Sequence, residues 1–238
     1  AHLEGFRSFE GIVNTNAELY DYLRLNREST VFLNNDDELL KQKASGITYS
    51  LTYGTTDQAD ICGYVPSDSI TLTLEWYESK RPTDKYRVKT QLVGDYNLYN
   101  ILSAITIGLY YKVPIEDINE ALASYSPSNN RSQLKKTAKN QLIIDAYNAN
   151  PTSMLAALKN FSQIADENKL AILGDMRELG QDSDQEHQNI LDFLSQDPAI
   201  SQVILVGKEF GKLSSSYPHY ASVDQLIEEL QKNPIENH

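Results

Sequence analysis

A single cysteine, Cys62, stands in a chain of 238 residues, so no internal disulfide holds the fold together. No run reaches the roughly eighteen apolar residues of a membrane span, and the opening AHLEGF has no signal-peptide character. These absences suit a reducing cytoplasm, and a cytoplasmic location without membrane insertion is the expectation. Basic charge is also scarce, with 21 Lys and Arg against 33 Asp and Glu and a net charge of -12. That balance argues against nucleic-acid partners, because no basic excess exists to release counterions from a phosphate backbone. No GxxxxGK[ST] occurs, so the chain carries no P-loop to cradle phosphates. Internal repeats and low-complexity segments are absent as well.

What is present is ordinary for a globular protein: 40% apolar and 23% charged residues, and length for one large or two ordinary domains. The most informative stretch is QLIIDAYNANPTSM, residues 141–154. Leu142, Ile143 and Ile144 form the apolar run expected of a central parallel strand buried on both faces, over 141–145. Asp145, Tyr147, Asn148 and Asn150 follow as a polar elbow. Asn150 suits an N-cap and Pro151 the first helical position, where its missing donor costs nothing. Met154, Leu155, Ala157, Leu158 and Phe161 supply the stripe of a helix packing back on the sheet. The elbow is more polar than a connection needs, and open α/β sheets bind ligands at the carboxyl ends of their strands.

The remainder divides by periodicity. Residues 9–23 show helical spacing, and VFLNNDDELL reads as strand, polar turn and helix start. The turn Asn34 to Asp37 either caps that helix or faces a ligand, capping being the simpler reading. From 47 to 92 the period is two, in runs around 47–53, 70–76 and 88–92, which predicts an antiparallel meander with one wet face. Its tyrosines read as cross-strand partners, since no basic residues interleave them as a base-stacking platform requires. Leu98, Ile101, Leu102, Ile105 and Leu109 mark an amphipathic helix with Asn97 and Asn100 in its first turn, where they either cap or meet a ligand. A further helix follows Pro114, then the breaker-rich SPSNNRSQ as a hinge. Beyond Arg131, strands at 141–145, 169–173, 202–206 and 219–221 alternate with helices at 151–165, 183–195 and 223–231. Alternation of this kind implies a parallel, doubly wound sheet. Ser183 and Glu186 are spaced as a capping box. LGDMRELG places Asp175, Arg177 and Glu178 on the same rim as the Asp145 elbow, as if the two shared a crevice.

Taken together, DAYNANPTSM, LGDMRELG with His187 downstream, GDYNLYN and AHLEGFRSFEGI resemble the Mur ligases of peptidoglycan synthesis, most closely their D-alanyl-D-alanine-adding branch. The resemblance covers nearly the whole chain. It implies an α/β protein in two parts: residues 1–128 as the second half of a central ATPase domain of antiparallel strands plus helices, and 129–238 as a Rossmann-like, mostly parallel C-terminal domain without its last strand and helix. It implies ATP and magnesium as cofactors, with UDP-N-acetylmuramoyl-tripeptide and D-alanyl-D-alanine as substrates. The reaction implied is amide synthesis through an acyl phosphate, which needs neutralised phosphates and exclusion of water. By position in the motifs, His2 matches the magnesium-binding histidine, Asn97 the asparagine near the adenine, Arg131 the arginine that approaches the nucleotide from the hinge, and Asp145 the aspartate that holds the ribose. Tyr147, Asn148 and Asn150 would shape the nucleotide and incoming-amine crevice. Asp175, Glu178 and His187 are further candidates, beside a plain reading as loop and helix-cap structure.

Three positions depart from that pattern. Asn16 stands where the family has a lysine that becomes carbamylated, and an amide cannot form that group. Tyr96 replaces the histidine of a His-Asn pair, and Arg7 occupies a position usually small. With the P-loop absent too, no catalytic residue is expected within the chain and the isolated chain should not turn over ATP. Two functions remain open: a portion of an active ligase, or a non-catalytic ligase-like module for binding or scaffolding within a fused cell-wall enzyme. The crevice residues favour the first and Asn16 the second.

Overall fold

The computed structural model describes residues 3–6, 8–66 and 70–238. Contacts divide the chain into two compact units, Glu10–Pro127 and Ser128–His238, the latter joined by the described part of Ala1–Phe9. A short helix α1 (Leu3–Phe6) and the long α2 (Phe9–Leu25) open the chain. Among the described residues no helix is long and apolar enough to cross a membrane.

In the Glu10–Pro127 unit, β1 (Thr30–Asn34) buries Val31 and Leu33 and leaves the alternate positions half-buried. Helix α3 (Glu38–Ala44) follows, and β2 (Tyr49–Gly54) returns parallel to β1, with Thr30 opposite Tyr49. Next come β3 (Ile61–Tyr64), β4 (Thr71–Glu78) and β5 (Tyr86–Val93). β3 lies parallel to β2 and antiparallel to β4, and β5 is antiparallel to β4. The run at 47–53 is therefore no part of the expected meander, which is antiparallel only from β3 onward. Periodicity reveals which face of a strand is wet but not the direction of its neighbour. Here α3 is the crossover that lets β2 run alongside β1. The loop into β3 closes on itself, with the Asp60 carboxylate accepting from the Thr52 backbone N–H and hydroxyl, both at 2.9 Å.

Helix α4 (Leu98–Tyr110) lays Leu98, Ile101, Leu102 and Ile105 on this sheet, against Ile61, Leu72, Leu74, Trp76 and Val88. Ile118 of α5 (Ile115–Ser124) joins the same cluster. Full burial of each such side chain contributes about 1.5–3 kcal/mol. Gly63 admits the helix, since a Cβ there would meet a Leu102 methyl at 2.5 Å. Trp76 is fully buried, and its indole N–H donates to the Asn119 side chain at 3.0 Å.

The Ser128–His238 unit opens with an antiparallel hairpin, β6 (Gln133–Lys136) and β7 (Gln141–Ile144), in which Gln133 faces Ile144. After α6 (Pro151–Gln163) come β8 (Leu170–Gly174), α7 (Ser183–Gln196), β9 (Gln202–Val206), β10 (His219–Tyr220) and α8 (Val223–Lys232). β8, β9 and β10 are parallel, as strand-helix alternation requires. β7 corrects the sequence expectation: its partner β6 is antiparallel, and Leu142 remains 39% exposed. Three consecutive apolar residues satisfy a hairpin strand as well as a central one, and only the pairing distinguishes them. Met154 and Leu158 of α6 and Ile190, Leu191 and Leu194 of α7 pack with Ala171, Leu173, Val203 and Leu205 of the parallel strands.

Candidate functional site

The first group of candidates lies at strand ends in the Glu10–Pro127 unit. Gly94 follows β5 with φ +93, a left-handed turn in which a Cβ would collide with the Tyr96 ring. The turn delivers Asn97 to the start of α4. Asn97 is 7% exposed; its amide donates to the Val93 carbonyl at 2.8 Å, and its oxygen accepts from Asn100 at 3.1 Å. The side chain ties the strand end to the helix start and makes no capping bond to the helix backbone. Between β1 and α3, Asp37 caps α3 by accepting from the Leu40 N–H at 3.0 Å. Asp36 has a different task that the sequence did not reveal. Its Oδ2 accepts from the Thr55 N–H and hydroxyl at 2.8 Å and from the Tyr99 hydroxyl at 3.1 Å, joining the ends of β1 and β2 to the first turn of α4. Burial, and then the Asp36 charge, push the Tyr99 hydroxyl above its ordinary pKa. The run of acidic residues after an apolar strand was the available signal, but it does not separate the capping Asp37 from the bridging Asp36.

Asn16 is exposed on α2, and His2 lies outside the described residues. Among the described residues no group of three His, Cys, Asp or Glu side chains is placed to hold a metal. Cys62 is buried, and burial raises its thiol pKa, which suits packing rather than nucleophilic chemistry.

The second group is the elbow after β7, within the other unit. Asn150 caps α6 in a reciprocal box, accepting from the Ser153 N–H at 3.0 Å while its own N–H donates to the Ser153 hydroxyl at 3.2 Å. Pro151 occupies the first turn as expected. Asp145 accepts from the Ser132 N–H at 3.4 Å, and the Ala146 N–H donates to the Asn130 carbonyl at 2.8 Å. The guanidinium carbon of Arg131 lies 3.8 Å from the centre of the Tyr147 ring. The structure therefore brings Arg131, Asp145 and Tyr147 together. Asn148 is exposed beside them, while Asn150 is engaged in capping.

The rim after β8 is built from within. Asp175 accepts from the Glu209 and Phe210 N–H groups at 3.0 and 3.1 Å, holding the loop that follows β9. Gly207, φ +125, gives that carboxylate its space, since any Cβ there would overlap it. His187 is fully buried; its Nε2 accepts from the Met176 N–H at 3.0 Å, so Nδ1 carries the proton and faces the Ser183 carbonyl at 2.7 Å. Its ring meets Phe210 edge-on at 4.6 Å. Asp175 and His187 thus have internal partners that account for them. Glu178 is exposed in a left-handed conformation, φ 61. Ser183 and Glu186 form no capping box: Asp182 precedes α7, and the Ser183 hydroxyl donates to Glu209 at 2.9 Å. Glu209 also accepts from Lys212 at 2.7 Å, and these bonds hold its carboxyl below the usual range. VGKEFGK after the third apolar run was the signal for this loop. Ala149 of the elbow and Met176 of this rim pack on one apolar cluster.

Residues 1–108 match the Mur ligase middle domain, and residues 130–237 match the Mur ligase, glutamate ligase domain. Among curated proteins, the UDP-N-acetylmuramoyl-tripeptide--D-alanyl-D-alanine ligase of Buchnera aphidicola subsp. Baizongia pistaciae is 30% identical across 100% of this chain and 51% of its own length. Its namesakes in Escherichia coli and Bacillus subtilis are 28% and 31% identical across 97% and 98% of this chain, again covering 51% of themselves. The chain spans about half the length of the curated relatives it matches. Two solved structures share the fold: the MurF ligase of Thermotoga maritima in complex with ADP, TM-score 0.81 at 18% identity, and MurF from Acinetobacter baumannii, TM-score 0.79 at 22% identity. They align with 99% and 98% of this chain and with 54% and 52% of their own chains.

Proposed function

Because this chain belongs to the Mur ligase family, with a middle-domain portion followed by a C-terminal domain, we propose that it is part of an ATP-dependent ligase that joins D-alanyl-D-alanine to UDP-N-acetylmuramoyl-tripeptide. In this reading residues 1–128 are the second half of the central domain and 129–238 the C-terminal domain. The protein works in the cytoplasm, where nucleotide and UDP-linked precursor are available. ATP and magnesium are its cofactors, and His2 is a metal ligand supplied by this chain. The remaining ligands and the phosphate-cradling loop come from elsewhere in the full-length protein. The tripeptide carboxylate is activated as an acyl phosphate, and the amine of the dipeptide displaces phosphate to form the amide.

This chain's share is to bind and orient. In this reading Asn97 lies near the base, Arg131 and Asp145 at the nucleotide, and Tyr147, Asn148 and Asn150 shape the crevice for the nucleotide and the incoming amine. The single observation that carries the reading is the elbow after β7, where Tyr147 lies against Arg131 and Asp145 accepts from the N–H of the next residue, Ser132. A structural connection has no need of an exposed arginine on an exposed tyrosine. The full-length protein supplied with ATP, magnesium, UDP-N-acetylmuramoyl-tripeptide and D-alanyl-D-alanine should release phosphate in step with amide formation; a protein that releases none under these conditions is not this ligase.

Asn16 supports a second reading, a ligase-like module kept for binding, because the position cannot supply a carbamate. Loss of a metal ligand or of its orienting partner commonly costs on the order of 10–100-fold in affinity or activity. Asn16→Lys in the full-length protein is therefore expected to raise the rate, and an unchanged or lower rate would show that another group holds the metal.

A further inference from the structure

Three consecutive residues of the elbow each engage one of three consecutive residues of the preceding turn. Ala146 holds the Asn130 carbonyl through its N–H at 2.8 Å, Tyr147 lies under Arg131 at 3.8 Å, and Asp145 accepts from the Ser132 N–H at 3.4 Å. The turn itself is strained at Ser132, whose φ of 48 is a left-handed conformation that residues other than glycine and asparagine rarely adopt; Asn130, φ 56, on the other side of the arginine, is of a type that tolerates it. Strain of this kind persists only where surrounding contacts over-determine it, and here the elbow supplies those contacts. Among the described residues no carboxylate pairs with Arg131, in a chain whose net charge is -12. A guanidinium stacked on a ring keeps its in-plane N–H fork available for an acceptor from outside.

We propose that Tyr147 is a positioning residue whose ring fixes the plane of the Arg131 guanidinium and aims its N–H fork at the nucleotide, with Asp145 and Ala146 holding the strained turn beneath it. The inference rests on the reading that Arg131 meets a nucleotide, and reassigns Tyr147 from a ligand contact to a support for one. A cation held over an exposed ring is worth about two- to fivefold in an equilibrium constant, which sets the size of the effect.

The stack can be read on the 238-residue chain by NMR. The ring should shift the Arg131 Nε–H resonance upfield; Tyr147→Phe should retain the shift and Tyr147→Leu abolish it. Nucleotide affinity is then measured by calorimetry with ADP on the full-length protein, independently of turnover. Tyr147→Leu should weaken ADP binding about two- to fivefold, Tyr147→Phe should recover it, and Tyr147→Leu should add nothing once Arg131→Lys has removed the flat guanidinium. A Leu variant that binds ADP as tightly as its parent, or an Arg131 resonance without the shift, overturns the proposal. A protein that binds ADP with this pattern yet forms no amide leaves the positioning role intact and refutes the ligase reading alone. Failure to bind ADP at all refutes both.

Discussion

Replacing His187 by leucine tests how the loop after β8 is held. The imidazole is fully buried and supplies the acceptor for the N–H of Met176, a residue 1% exposed. Leucine fills similar space but offers no acceptor, so a buried amide is left unpaired, at about 1–3 kcal/mol. The edge-on contact with Phe210 at 4.6 Å is lost as well, worth about 0.5–1.5 kcal/mol for aromatic pairs. The Ser183 carbonyl suffers less, since it lies one turn earlier in the same helix and has that helix's backbone donor. The expected loss is about 2–4 kcal/mol, a shift of about 1–2 M in the urea midpoint for an ordinary slope. Trp76 lies in the other unit, so tryptophan fluorescence is the wrong probe. Far-UV circular dichroism together with hydrogen exchange at the Met176 amide is the right one. His187→Gln carries an oxygen close to the Nε2 position and should recover part of the loss and slow the Met176 exchange again. If the leucine variant unfolds within about 0.3 M of the parent, with the Met176 amide still protected, the histidine does not hold this loop.

Two further changes probe the same region. Gly207→Ala places a Cβ against the Asp175 carboxylate at φ +125 and displaces the group that holds the Glu209 and Phe210 N–H groups; a loss of about 2–4 kcal/mol in urea unfolding is expected, and a loss below about 0.5 kcal/mol would contradict the geometry. The Glu209 carboxyl is held below its ordinary pKa first by Lys212 and then by Ser183. A depressed folded value means the stabilisation is present above the unfolded pKa and is lost as pH falls through the folded one. Glu209→Gln should therefore flatten the acid side of the stability profile while leaving its shape near neutrality, and an unchanged acid limb would show that the contact with Lys212 carries no linkage.

Much of the Ser128–His238 unit is legible in the amino-acid order. The helices expected at 151–165, 183–195 and 223–231 occur at Pro151–Gln163, Ser183–Gln196 and Val223–Lys232, and the strand expected at 202–206 occurs at Gln202–Val206. Caps were legible where the contact is local, as with Asn150 and Pro151. Ser183 shows the limit of that rule, because Glu209, 26 residues away, takes its hydroxyl instead of the helix backbone. The elbow was singled out by its polarity, but not the order of its contacts with Asn130, Arg131 and Ser132.

By itself the sequence determined the family, most helices and the longer strands, and the polar elbow after the strand at 141–145, because each depends on local periodicity or on motifs read along the chain; the short strands β3 and β6 were not legible in it. Tertiary structure alone decided that β2 is parallel to β1 and that β7 is paired with β6. It also made His187 a buried brace, Asp36 a bridge to Tyr99, and Tyr147 the floor under Arg131. The physical reason is one of range. Side-chain spacing records which faces of an element are buried, whereas strand direction and hydrogen-bond partners are chosen among groups that come together only once the chain has folded.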